Sequence, residues 1–180
     1  MSILMQFSRA IDTMNGFFGR IANVLILFAC LVSATNALMR YGFDLSDNWP
    51  LELQWYLFGG AVMLGAAYTL RENGHVRVDL LYGNVSDRTR LYIDIFGFIF
   101  FLLPACILFA WLSWTTLFLP SWHVMEQSSN SGGLPRYPIK FIVPFGFLLL
   151  TLQGISELIK RFAMLRGQLE LKTDYEKVAQ

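Results

Sequence analysis

The chain has 180 residues, of which 55% are hydrophobic, 16% aromatic and only 15% charged. A soluble domain normally carries about a quarter charged residues, so the composition argues against a water-soluble globule. A net charge of +1 gives no basis for nucleic-acid binding, because the basic residues gather at the ends of apolar runs.

Residues 1–18 place Phe7, Ile11, Met14 and Phe18 on one helical face, the pattern of an amphipathic helix lying on a membrane surface. Four apolar stretches follow: Ile21–Leu38, Leu51–Leu70, Leu91–Leu119 and Phe141–Leu158. About 20 apolar residues at ~1.5 Å rise cover a hydrocarbon core of roughly 30 Å, and each stretch is long enough. The sequence therefore predicts an all-α membrane protein with four transmembrane helices, over about 21–40, 50–71, 88–119 and 139–160. They form one four-helix domain over 19–165, with a charged tail at 166–180. Thr35-Asn36-Ala37 is a weak cleavage motif, but the first apolar run is long for a signal core, so the first span is expected to stay.

Between the first two spans, Asp47 or Asn48 can cap the second helix, and Pro50 suits its first turn, where no amide hydrogen is needed. Glu52 then falls where the helix dipole favours an anion. Ala61, Gly65 and Thr69 recur every four residues, a face that lets another helix approach closely. Beyond Arg71, Asn73-Gly74 marks a turn, and Val76, Val78 and Leu80 alternate with Arg77 and Asp79, a pattern of order rather than of a linker. Ser86 or Asp87 can cap the third span, whose 29 apolar residues would measure roughly 43 Å and must tilt. Pro104 is expected to kink it. The longest loop, Pro120–Pro138, carries Ser128-Ser129-Asn130-Ser131-Gly132-Gly133 at its tip. Trp49, Trp55, Trp114, Trp122 and Tyr137 form an aromatic belt near it.

Of the 14 Lys and Arg, all but Arg40, Arg136 and Lys140 fall before the first span, between the second and third, or after the fourth. The positive-inside rule then places both termini and the middle loop in the cytoplasm.

The chemistry-bearing residues are sparse. Every charged residue lies near a membrane edge, whereas ion sites and proton relays need charge near the midplane. Cys30 and Cys106 sit singly in apolar spans and read as packing residues. His75 and His123 fall on opposite sides of the membrane, so one haem cannot reach both. No catalytic, cofactor-binding or metal-binding residue is expected, and the chain is not read as an enzyme. Asn23, Asn36 and Gln153 read as interhelical hydrogen-bond formers. Glu52, Trp55 and Tyr56 share one helical turn and suit either a cap with belt aromatics or a subunit contact. Arg71, His75, Arg77 and Asp79 suit either loop solubility or a latch onto a partner.

The run Trp49-Pro50-Leu51-Glu52-Leu53-Gln54-Trp55-Tyr56, then Gly65-Ala66-Ala67-Tyr68-Thr69-Leu70-Arg71 and His75-Val76-Arg77-Val78-Asp79, resembles the small membrane subunit of tripartite ATP-independent periplasmic (TRAP) transporters. Arg40-Tyr41 and the Ser128–Arg136 run fit as well, and the resemblance covers about 20–165. It implies a scaffold in a bacterial inner membrane, surrounded by lipid. Its partners would be a large permease subunit carrying the substrate and ion sites, and a periplasmic binding protein delivering an organic acid. The implied subunit-interface candidates are Glu52, Trp55, Gly65, Arg71, His75, Arg77 and Asp79. A stand-alone membrane scaffold is the alternative, with the same topology and no transport partner.

Overall fold

A computed structural model describes residues 3–45, 47–73 and 86–168. Those residues form four long helices and no strand: α1 (Ile3–Gly42), α2 (Trp49–Arg71), α3 (Asp87–His123) and α4 (Tyr137–Leu165). The expected spans fall inside them. Three helices, α1, α3 and α4, are long and apolar enough to cross a membrane. The apolar run of α2 is diluted by Gln54, Tyr56, Gly59, Gly60 and Gly65.

The expected boundary near residue 18 is not a break. α1 runs unbroken through 40 residues, and the face drawn on the membrane surface turns into the bundle instead. Ile11 is buried, and Met14 and Phe18 pack on the central apolar cluster, leaving Phe7 outside. The physical reason lies in the polar members of the same stretch. Ser8 and Asn15, with Gly19, are buried against neighbouring helices.

α1, α2 and α4 enclose a core of Ala22, Ala61, Leu64, Ala67 and Leu149. Small residues set the spacing, since close backbone approach replaces hydrophobic drive between helices in lipid. The small face of α2 is filled by α1: a Cβ at Gly65 would lie 3.3 Å from that of Ala22. Gly65 therefore lets α1 and α2 approach closely within the chain. On α4, a Cβ at Gly146 would lie 2.8 Å from the Met63 carbonyl oxygen, which is backbone and cannot step aside.

α3 packs almost entirely on α4, with Phe109 stacked on Phe147 and Phe118 edge-on to Phe141. The disturbance expected at Pro104 takes the form of a π turn over Phe98–Leu102, and a second covers Ser113–Phe118, just before Pro120. In each, the residue preceding proline donates its amide to the carbonyl five residues back, Leu103 to Phe98 and Leu119 to Trp114. The wider turn relieves the clash between a proline ring and the carbonyl four residues earlier. Ser86 caps α3, its hydroxyl accepting from the Thr89 amide at 3.4 Å.

Gly146→Ala should force α2 and α4 apart and lower stability by about 1–3 kcal/mol, the usual penalty of overpacking. Thermal unfolding in mild detergent would show it; an unchanged midpoint would mean that the two helices are not in backbone contact.

Candidate functional site

The polar residues gather in two clusters, at opposite ends of the bundle. The first is built around Glu52, in the opening turn of α2. Pro50 in the preceding positions leaves the helix start without one amide donor, and Asn48 makes no side-chain cap. The Asn48 amide instead donates to the Ser131 carbonyl across the loop, at 3.0 Å. Glu52 is only 4% exposed, because the Ser128–Pro135 run folds over it. Its carboxylate accepts from the Ser128 hydroxyl, from the Asn130 amide at 2.9 Å and from the Leu134 backbone N–H at 2.6 Å. One turn along, the Tyr56 hydroxyl donates to the Pro135 carbonyl at 3.1 Å.

This explains the composition of that loop. Hydroxyl and amide side chains supply donors to a carboxylate, and Gly133 supplies clearance: a Cβ there would lie 2.7 Å from Glu52 Oε2. Gly132, at φ +71°, takes the left-handed conformation that turns the chain. The base of the loop is pinned separately. The Arg136 amide donates to the Glu126 carbonyl at 2.8 Å, and the Glu126 carboxylate pairs with Lys140 on α4. The Lys140 hydrogen bond, helped by the charge of Arg136, holds the Glu126 carboxyl below the usual glutamate range.

The second cluster joins α1, α3 and α4. Asp12 on α1 accepts from Gln153 at 2.9 Å, from Ser156 at 3.0 Å and from Lys160 at 2.9 Å, all on α4. Ser8 meets Ser156 at 2.7 Å, and Asn15 donates to Gln153 at 2.7 Å. Lys160 also pairs with Glu157, which in turn holds Arg161 at 2.7 Å. Arg161 then crosses to Asp94 of α3 at 3.0 Å, its guanidinium lying over the Phe98 ring. A charge removed from water needs this density of partners, since an unpaired buried ion is strongly unfavourable.

Arg71 belongs to this end. Its guanidinium donates to the Asp12 carbonyl at 2.9 Å, pairs with Glu72 and lies near the Tyr68 ring. The sequence candidates thus separate. Glu52 and Arg71 are engaged within the chain, Gly65 faces α1, and Trp55 points outward, 63% exposed. His75, Arg77 and Asp79 lie outside the described residues. Gln153 is interhelical, as its polarity within a span implied, whereas Asn23 is exposed.

Ser8, Asp12 and Asn15 went unread as bundle residues, although a signal was present. They recur with Gly19 at spacings of four, three and four, a polar face inside a helical pattern. Gln153, Ser156, Glu157 and Lys160, three, four and seven residues along, likewise share one face of α4.

Two substitutions probe the clusters. Glu52→Gln keeps the shape but removes the charge that three donors converge on, so amide exchange across 128–134 should quicken. Exchange as slow as in the parent chain would show that the loop holds itself. Arg161→Leu leaves Glu157 and Asp94 short of a cation and should cost about 3–5 kcal/mol in thermal or denaturant unfolding. A change near zero would mean that the pair contributes nothing net.

Comparison with known proteins adds one finding. A family model described as tripartite ATP-independent periplasmic transporters, DctQ component, matches residues 29–164. The Glu52 cluster lies wholly within that match, whereas Ser8, Asp12 and Asn15 precede it. No curated protein and no solved structure matches the chain.

Proposed function

The chain belongs to the DctQ component family of the tripartite ATP-independent periplasmic transporters, and on that premise we propose that it is the scaffold subunit of such a system. It stands in a bacterial inner membrane beside a large permease subunit, with a periplasmic binding protein delivering an organic acid. All four helices cross the bilayer, α2 included, with both termini cytoplasmic and the Glu52 cluster on the periplasmic side. The excess of Lys and Arg at the Asp12 end supports that orientation.

One observation carries the reading. The ionisable groups of the Glu52 and Asp12 clusters are engaged in fixing this chain's own helices and loop, while the core between them is apolar. Such an arrangement builds a rigid frame, and movement of substrate falls to the large subunit. The frame's outer surfaces, on α1 and α3, carry many exposed large apolar side chains, among them Phe28, Leu31, Phe100 and Trp111. Those surfaces suit lipid and the helices of a permease. Trp55 stands beside the periplasmic loop, and His75, Arg77 and Asp79 remain candidates for contact on the cytoplasmic side.

The decisive experiment is recovery of the tagged chain from its native membranes in mild detergent, read by mass spectrometry. One much larger polytopic permease should come with it in stoichiometric amount. Recovery of the folded chain alone would favour the stand-alone scaffold. Glu52→Ala should lower complex yield and uptake in parallel, with the ion requirement of transport unchanged. An altered ion requirement at normal complex yield would contradict the scaffold role.

A further inference from the structure

A cleft of about 620 Å³ lies between α1 and α2 toward the end where the chain links them. Its floor is apolar, formed by Phe28, Leu31 and Val32 of α1 and Leu53 of α2. Its mouth is acidic, with Asp44 and Asp47 beside Trp49. Between floor and mouth stand Thr35 and Asn36, a hydroxyl and an amide that can donate hydrogen bonds.

Backbone hydrogen bonds define the turn that carries Asp44. Phe43 and Leu45 both donate their amides to the Met39 carbonyl, and Asp44 between them is held at φ +55°. Among the described residues no cation pairs with Asp44 or Asp47, although Arg40 lies in the last turn of the same helix. Two carboxylates at one opening repel an anion and attract a cation. The cleft also has the depth of one leaflet: Leu31 lies roughly 16 Å below Gly42 at helical rise, against about 15 Å for half a hydrocarbon core. A charged mouth above an apolar floor of that depth is the shape of an amphiphile, not of a peptide side chain.

We propose that this cleft binds a phospholipid whose headgroup ends in an ammonium, held by Asp44 and Asp47, with an acyl chain along Leu31 and Val32. Thr35 and Asn36 then face the ester and phosphate oxygens, which are acceptors. The inference rests on the reading that α1 and α2 cross the membrane. It gives the scaffold a preference for zwitterionic over anionic lipid at this position, since an anionic headgroup would bring a phosphate to the carboxylates with no ammonium of its own to offset it.

The test is a competition on the full chain in detergent, with phosphatidylethanolamine and phosphatidylglycerol of identical acyl chains, read by native mass spectrometry. The ethanolamine lipid should be retained severalfold over the glycerol lipid, and the paired change Asp44→Asn with Asp47→Asn should abolish the preference. Val32→Trp, which fills the floor and leaves both carboxylates, should reduce retention of the ethanolamine lipid. Equal retention of the two lipids, or a preference that survives the asparagine pair, overturns the proposal. So does Val32→Trp binding as the parent chain does, a check that stands if the asparagine pair disturbs folding. If the asparagine pair lowers recovery of the large permease while lipid retention is unchanged, the cleft belongs to a protein contact and the lipid proposal falls. Failure of the transporter reading would show differently, as absence of any permease from the parent chain's pull-down whatever lipid it carries.

Discussion

Helices in lipid gain little by hiding apolar surface from one another, because the solvent they would leave is as apolar as they are. Which faces meet must then be decided by polar ties and by how closely backbones can approach. In this bundle the relay from Asp12 through Lys160, Glu157 and Arg161 to Asp94 makes that decision for three helices together. α4 supplies Glu157, Lys160 and Arg161 to the relay, which is why it sits at the centre with α1 and α2 on one side and α3 on the other. The core of alanine, glycine and leucine only fills the space the relay defines.

At the opposite end the same economy of polar groups serves a loop. A carboxylate in the first turn of α2 would ordinarily be solvated or would lean on the helix dipole. Here Glu52 collects donors from a segment some eighty residues away and converts a serine- and glycine-rich stretch into a fitted cover. The cover is joined to α4 through Glu126 and Lys140, so α2, the loop and α4 form a closed circuit. Both ends of the frame are thus locked by side chains that a transport mechanism would otherwise leave available.

Much of this was legible in the sequence, for physical reasons. Apolar length fixed where helices run, since the bilayer thickness is a constant the chain must meet. Pro50 and Ser86 marked helix starts through their backbone chemistry. The fate of Glu52 was only half legible: its position in the first turn could be read, but its three donors lie beyond any local pattern. The run 1–18 shows the opposite failure. Its apolar residues suggested a surface helix, while Ser8, Asp12 and Asn15 could be understood only once their partners on α4 were known. The contact of Gly65 with α1 was half legible for a similar reason, because a small-residue face records that some helix approaches without recording which one.

The two π turns of α3 have a geometric effect on register. At about 100° per residue, a regular helix from Asp94 to Phe118 would end roughly 120° away from where it began. Each π turn accommodates one residue more than a regular turn and takes back about 100°, so two of them return Phe118 to within about 40° of Asp94. That is why Asp94 at one end and Phe118 at the other can both lie on α4. The prolines therefore act less as kinks than as phase corrections, keeping one stripe of a 37-residue helix aimed at a single neighbour. Shortening either turn by a residue would leave the helix intact and rotate everything beyond it off its seat.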